Sequence, residues 1–187
     1  MAKVGKNIVT TGMTGKMGDL IVFRLSGGQT IVATKPFKSH VELTQAQKVQ
    51  QRKFQHAVLY GKSIFSNPAL KAQYQAKANE KESAYNVAVA DFLNAPDIDE
   101  IDVSNYTGQA GSTIRVSVTD DFMVTGVQVE IYTDDGELVE TGDAVQDANL
   151  SDWLFTATVS NGSIAGDKIV IKAYDLPGNL TQMESII

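Results

Sequence analysis

Apolar residues repeat at helical spacing up to Asn94-Ala95-Pro96-Asp97 and alternate at strand spacing after it. On the helical side, Thr44-Gln45-Ala46-Gln47 has the form of a capping box, with Thr44 as N-cap and Gln47 three residues on. From there Val49, Phe54, Ala57, Val58, Gly61, Ile64 and Phe65 approximate one face of a helix. Gln50, Gln51, Arg52, Lys53 and Gln55 fall mostly toward solvent. Asn67-Pro68 predicts a second start, with proline at the first helical position. Leu70, Tyr74 and Ala78 continue its stripe. Ser83 predicts a third start, whose face carries Tyr85, Ala88, Val89 and Phe92 and which ends at Asn94, before Pro96.

After Pro96, short strands and turn signals follow at the spacing of a β-sandwich. Ile98 to Val103 is a first edge, and 112–119 places Ile114, Val116 and Val118 inward. Residues 127–132 alternate again and close on Asp134-Asp135-Gly136, a turn of the Asp-Gly type. Leu138-Val139 begins the return, and 153–159 brings in Trp153 as a core anchor. Asn161-Gly162 turns the chain into 168–174, and a last short strand runs to Ile187.

The first forty residues follow β chemistry too. Residues 7–11 read as a short strand, followed by Gly12, Gly15 and Gly18, whose spacing suggests tight turns with positive φ. Residues 20–25 and 30–35 flank a Gly27-Gly28 turn, a hairpin signature that Pro36 ends. A lone hairpin is marginal in water, so this one is expected to pack on the helices or pair with another chain.

Charge follows the same division. Residues 1–94 carry 13 Lys+Arg and 5 Asp+Glu, a net of +8; residues 95–187 carry 3 and 17, a net of −14. The expectation is an α+β protein of two domains: a basic β-hairpin plus helical domain over 1–95, and an acidic all-β sandwich over 96–187. Composition adds little, since 43% hydrophobic and 20% charged residues are ordinary for a globular chain.

Candidate chemistry is sparse. With no cysteine there is no disulfide, no thiolate nucleophile and no Cys-ligated zinc. A phosphate-binding loop needs G-x-x-x-x-G-K-[ST]; Thr10 stands where its first glycine belongs and Met17 where its hydroxyl belongs. His40 and His56 have no partners at metal spacing. No His sits with a nucleophile, and neither H-E-x-x-H nor a cofactor loop is present, so no catalysis and no cofactor are expected. Asp120, Asp121, Asp175 and Asn179 are weak calcium candidates, offering oxygen ligands from the turns at one end of the sandwich. Against them, Asp and Asn favour turns through their own side-chain hydrogen bonds, and no D-x-[DN]-x-[DN]-G loop occurs.

Two resemblances add context. Gly12, Gly15, Lys16 and Gly18, the hairpin ending in Lys35-Pro36, Thr44-x-Ala46-Gln47 with Arg52-Lys53-Phe54, a proline-started helix and Ala84-Tyr85-Asn86-Val87 follow in order over about residues 5–95. That order resembles short uncharacterised bacterial proteins of prophage and mobile-element settings, although Tyr74 stands where their second helix often has Trp. The resemblance implies a phage-like or particle-associated context and no chemistry. Over about 97–187, Asp120-Asp121-Phe122-Met123-Val124 leading into the Val127 strand, and Ala173-Tyr174-Asp175-x-x-Gly178-Asn179, resemble bacterial Ig-like and fibronectin-III-like modules. Such modules act as spacers, binding surfaces or assembly units.

The function expected is therefore a non-catalytic structural subunit of a multi-copy, phage-like particle, partnered by itself and by other particle components. The hairpin would connect subunits, with Leu20, Val22, Phe23, Ile31 and Val32 as interface candidates. One alternative is nucleic-acid binding by the basic half, for which aromatics interleaved with Lys/Arg on an exposed face would be the discriminating feature. On the stripes above, Phe54, Phe65 and Tyr74 are expected to face inward instead. Another alternative is a glycan- or protein-binding Ig-like module. The start, Met1-Ala2-Lys3-Val4-Gly5-Lys6, lacks a signal-peptide core, and no run approaches the roughly 20 apolar residues of a membrane span. Cytoplasmic synthesis is expected, with incorporation into a virion or phage-like particle compatible with it.

Overall fold

The computed structural model describes residues 2–4, 8–35, 42–80 and 82–187. It is an α+β protein with three α-helices and three four-stranded antiparallel sheets among the described residues. Contacts divide the chain into two compact units, residues 1–48 and residues 49–187. The change of pattern at Pro96 falls inside the second unit, where Pro96 itself is buried. Among the described residues, no helix is long and apolar enough to cross a membrane.

The first unit is a sheet of β1 (Ala2–Val4), β2 (Gly15–Met17), β3 (Ile21–Ser26) and β4 (Gln29–Thr34), in the order β1-β4-β3-β2. Its centre is the expected hairpin. Ser26 pairs with Gln29 across Gly27 and Gly28, whose φ values of +55° and +73° give the primed turn that matches strand twist. Gly12, Gly15 and Gly18 also have positive φ, as their spacing suggests. The strand expected over 7–11 is not formed: residues 8–12 are turn, Met13 N–H donates to the Thr10 carbonyl at 3.2 Å, and Ile8 and Val9 are exposed. β-Propensity alone does not make a strand there. Pro36 and His40 lie outside the described residues.

Three helices follow, the first crossing from residues 45–48 into the second unit, and their starts are set by local chemistry. At α1 (Gln45–Ser63), Gln47 N–H donates to Thr44 Oγ1 at 3.3 Å and Thr44 N–H donates to Gln47 Oε1 at 2.9 Å, a complete capping box. A 3-10 turn (Ile64–Ser66) leads to α2 (Pro68–Lys77), where Leu70 N–H donates to Asn67 Oδ1. In α3 (Ala84–Leu93), Asn86 N–H donates to Ser83 Oγ. The inner face of α1 is a narrower part of the one expected. Ala57, Gly61 and Ile64 at its end are buried, while Val49, Phe54 and Phe65 are exposed. Close packing selects the small residues: a Cβ on Gly61 would lie 2.7 Å from Val89 Cγ2 and 3.0 Å from the Tyr85 ring.

The remaining strands form two sheets around one core. One has the order β5 (Asp97–Asp102), β6 (Thr113–Thr119), β10 (Asp152–Thr156), β9 (Val145–Gln146). The other has β12 (Leu180–Ile186), β11 (Lys168–Asp175), β7 (Val124–Tyr132), β8 (Leu138–Asp143). Alternation places Ile114, Val116 and Val118 from β6 in contact with Val127, Val129, Ile131, Ile169 and Ile171, with Trp153 and Phe155 completing the cluster. Burial on that scale, at about 1.5–3 kcal/mol per large apolar side chain, makes this the main source of the unit's stability. The strand expected over 153–159 ends sooner, at Thr156.

Candidate functional site

Two places carry features beyond ordinary packing. The first is the N-terminal sheet. Thr30 is the one buried residue among residues 8–35 and 42–48, and Gly12 N–H donates to its Oγ1 at 3.0 Å. No apolar side chain of β2, β3 or β4 is buried. Of the interface candidates, Leu20 lies in the turn before β3 and is 77% exposed; Val22, Phe23, Ile31 and Val32 are half-buried. Pairing of Phe23 with Val32 puts these two on one face, and the alternation of strands puts Val22 and Ile31 on the other. Ile21, Leu25 and Met17 share the Phe23 face by the same register. Both faces therefore present apolar side chains.

The second place lies where α3 meets the ends of two strands. Asp91 on α3, Asp120 in the β6–β7 turn and Asp175 at the end of β11 each offer a carboxylate oxygen, and these oxygens lie within 4.8 Å of one another. Asp91 and Asp175 are buried and Asp120 half-buried. Asp120 Oδ2 accepts from the Phe122 and Met123 N–H groups at 3.1 and 2.7 Å, so it shapes its own turn. Asp175 Oδ1 does the same for Gly178 and Asn179 N–H, at 2.8 and 2.6 Å. The Asn179 amide donates to Asp175 Oδ2 and to the carbonyls of Asp91, Phe92 and Asn94, tying the end of α3 to the β11–β12 turn.

Tyr74 of α2 completes the junction. It is fully buried, stacks on Phe122 at 4.1 Å between ring centroids and meets Tyr60 edge-on at 6.4 Å. Its hydroxyl donates to Asp91 Oδ2 at 2.5 Å and bonds the Tyr60 hydroxyl at 2.7 Å. Burial pushes the Asp91 carboxyl up to about 7; the Tyr74 hydrogen bond works against the shift, and Asp120, Asp175 and Asp121 add to it. Asp175 is also raised, chiefly by burial, against its hydrogen bonds to Asn179 and Gly178. Tyr74 is raised by burial and then by its bond to Asp91. A depression of about 270 Å³ is lined in part by Asn86, Val87, Asp91 and Phe122.

Of the four calcium candidates, the structure brings Asp120 and Asp175 together and adds Asp91. Asp121 instead accepts a hydrogen bond from the Asn94 amide, and Asn179 acts there as a hydrogen-bond donor. Asp91 was detectable in principle: Ala84, Ala88 and Asp91 are spaced by four and three, which puts an acid on an apolar helical stripe. His56 is exposed on α1.

No protein-family model matches the chain, and no curated protein matches it. Among solved structures, the crystal structure of an engineered protein is similar over 58% of this chain at 16% identity and a TM-score of 0.35. The chain spans 30% of that structure's length.

Proposed function

We propose that the protein is a non-catalytic structural subunit of a multi-copy assembly of phage-like type, in which the N-terminal sheet joins one copy to the next. The observation that carries this reading is a four-stranded sheet in which no apolar side chain of β2, β3 or β4 is buried, with Leu25 and Met17, and Leu20 in the adjoining turn, more than half exposed. A sheet of this size needs an apolar face covered to be stable, and a second copy supplies the cover. Charge favours the same occupant. Residues 1–48 carry seven Lys+Arg against two Asp+Glu, and residues 49–187 carry nine against twenty. Opposite charges on different copies orient a head-to-tail contact, which gives rings or filaments. The eight strands from β5 on, ordered first-second-sixth-fifth and eighth-seventh-third-fourth, support an Ig-like or fibronectin-III-like reading of the module that such copies would array.

Deleting residues 1–35 tests the reading by light scattering after size exclusion. The intact chain is expected to assemble, the truncated chain to remain monomeric, and added salt mainly to slow assembly. Normal assembly by the truncated chain would remove the N-terminal sheet as connector.

A second reading is nucleic-acid binding. It draws support from Phe54 and Phe65, each 51% exposed rather than inward, with Arg52 and Lys53 adjacent to Phe54 in sequence and Lys71 Nζ 4.9 Å from the Phe65 ring. Exposed aromatics beside cations suit base stacking. Electrophoretic shift of single- and double-stranded DNA distinguishes it: salt-sensitive binding in the micromolar range favours this reading, and its absence retires it.

A further inference from the structure

We propose that Asp91, Asp120 and Asp175 hold a calcium ion that clasps α3 to the β6–β7 and β11–β12 turns. The cluster of three acids is the first observation. The second is independent of it: Asp91 is 1% exposed, and its Oδ1 accepts no hydrogen bond from any described residue. Oδ1 of Asp120 is buried and without a donor in the same way. Buried carboxylate oxygens are ordinarily paired, because an ionised group stripped of water and left without a partner is costly. Neither Lys nor Arg forms an ion pair with any of the three among the described residues. Donors are present for the opposite oxygens, Asp91 Oδ2 and Asp120 Oδ2, and these bonds hold the two bare oxygens in place.

An all-oxygen, triply acidic set suits a hard cation and excludes a preference for zinc or copper. Flexibility favours calcium, which tolerates the irregular geometry that two turns and a helix supply, with water filling the remaining positions, whereas magnesium demands a near-ideal octahedron. The competing occupant is a proton shared within the cluster, which would satisfy one bare oxygen and leave the other.

Terbium luminescence on the full chain tests the site directly, because Tyr74 and Tyr60 stand next to Asp91 and sensitise a bound lanthanide. After chelator treatment and its removal, tyrosine excitation is expected to give saturable terbium emission that calcium displaces. Asp91→Asn and Asp120→Asn should each lose that emission, and Asp121→Asn should keep it. Circular dichroism checks each fold, and if Asp91→Asn does not fold, Asp120→Asn alone decides. No saturable emission, or emission that survives in the deciding variant, overturns the site. Displacement by magnesium as readily as by calcium overturns the choice of ion. The assembly reading rests on residues 1–35 and is scored by mass, so the two fail separately.

Discussion

Replacing Tyr74 by Phe isolates one hydroxyl at the helix–sheet junction. The ring keeps its stack on Phe122 and its place against Tyr60, so packing is conserved. What is lost is the 2.7 Å bond to the Tyr60 hydroxyl and the 2.5 Å bond to Asp91 Oδ2, leaving a carboxylate that is 1% exposed with no donor on either oxygen. Leaving a buried group unpaired costs about 1–3 kcal/mol, more when it is charged. The cost therefore depends on Asp91 ionisation. The Asp91 pKa is raised from its ordinary 3.8 to about 7, so the folded chain holds a proton that the unfolded chain releases. Stability from this group is present in full below about pH 4 and is lost as pH rises through about 7. With chelator present, the native protein should thus lose stability between pH 5 and 8. Tyr74→Phe should steepen the loss, because the hydroxyl stabilises the ionised form. We expect a cost of about 1 kcal/mol at pH 5 and about 3 kcal/mol at pH 8, from urea unfolding followed by circular dichroism. A cost that is flat between those pH values would refute the role given to Asp91.

Three further substitutions probe the same unit. Gly61→Ala gains up to about 1 kcal/mol of helix propensity but drives a methyl to 2.7 Å from the stiff Val89 side chain; overpacking of about 1–3 kcal/mol should win, lowering the thermal midpoint. Asn179→Ala removes the donor shared by two α3 carbonyls, the Asn94 carbonyl just past them and Asp175, and should cost about 2–3 kcal/mol in urea, with faster hydrogen exchange in the last turn of α3. Ser83→Ala loses the α3 cap and should cost about 1 kcal/mol, recovered by Ser83→Asp.

Most of the fold could be read from local chemistry, and the candidate site only in part. Thr44, Asn67 and Ser83 mark helix starts because a cap is made within three residues of chain. Gly27-Gly28 marks the hairpin because few other residues accept both φ values. The inner face of α1 was legible only in part: Ala57, Gly61 and Ile64 of the expected stripe are buried, and its larger members are not. A reading by side-chain size favours Phe54 and Phe65, whereas close helix approach rewards Ala57 and Gly61. Ile8 and Val9 show the same limit for strands, since propensity alone does not make one. The turn acids Asp120 and Asp175 stood out by composition, but their meeting with Asp91 depends on how α3 lies on the sheets, which no local pattern encodes. The edge strand β2 is three residues long between glycines and leaves almost no signature.

The proposal that this chain is built to assemble is tested most directly by its mass in solution. Sedimentation velocity of the intact chain over a hundredfold range of concentration, at low and physiological salt, should show species well above the 20.2 kDa of one chain, increasing with concentration. A single 20.2 kDa species at every concentration in both salts would contradict it.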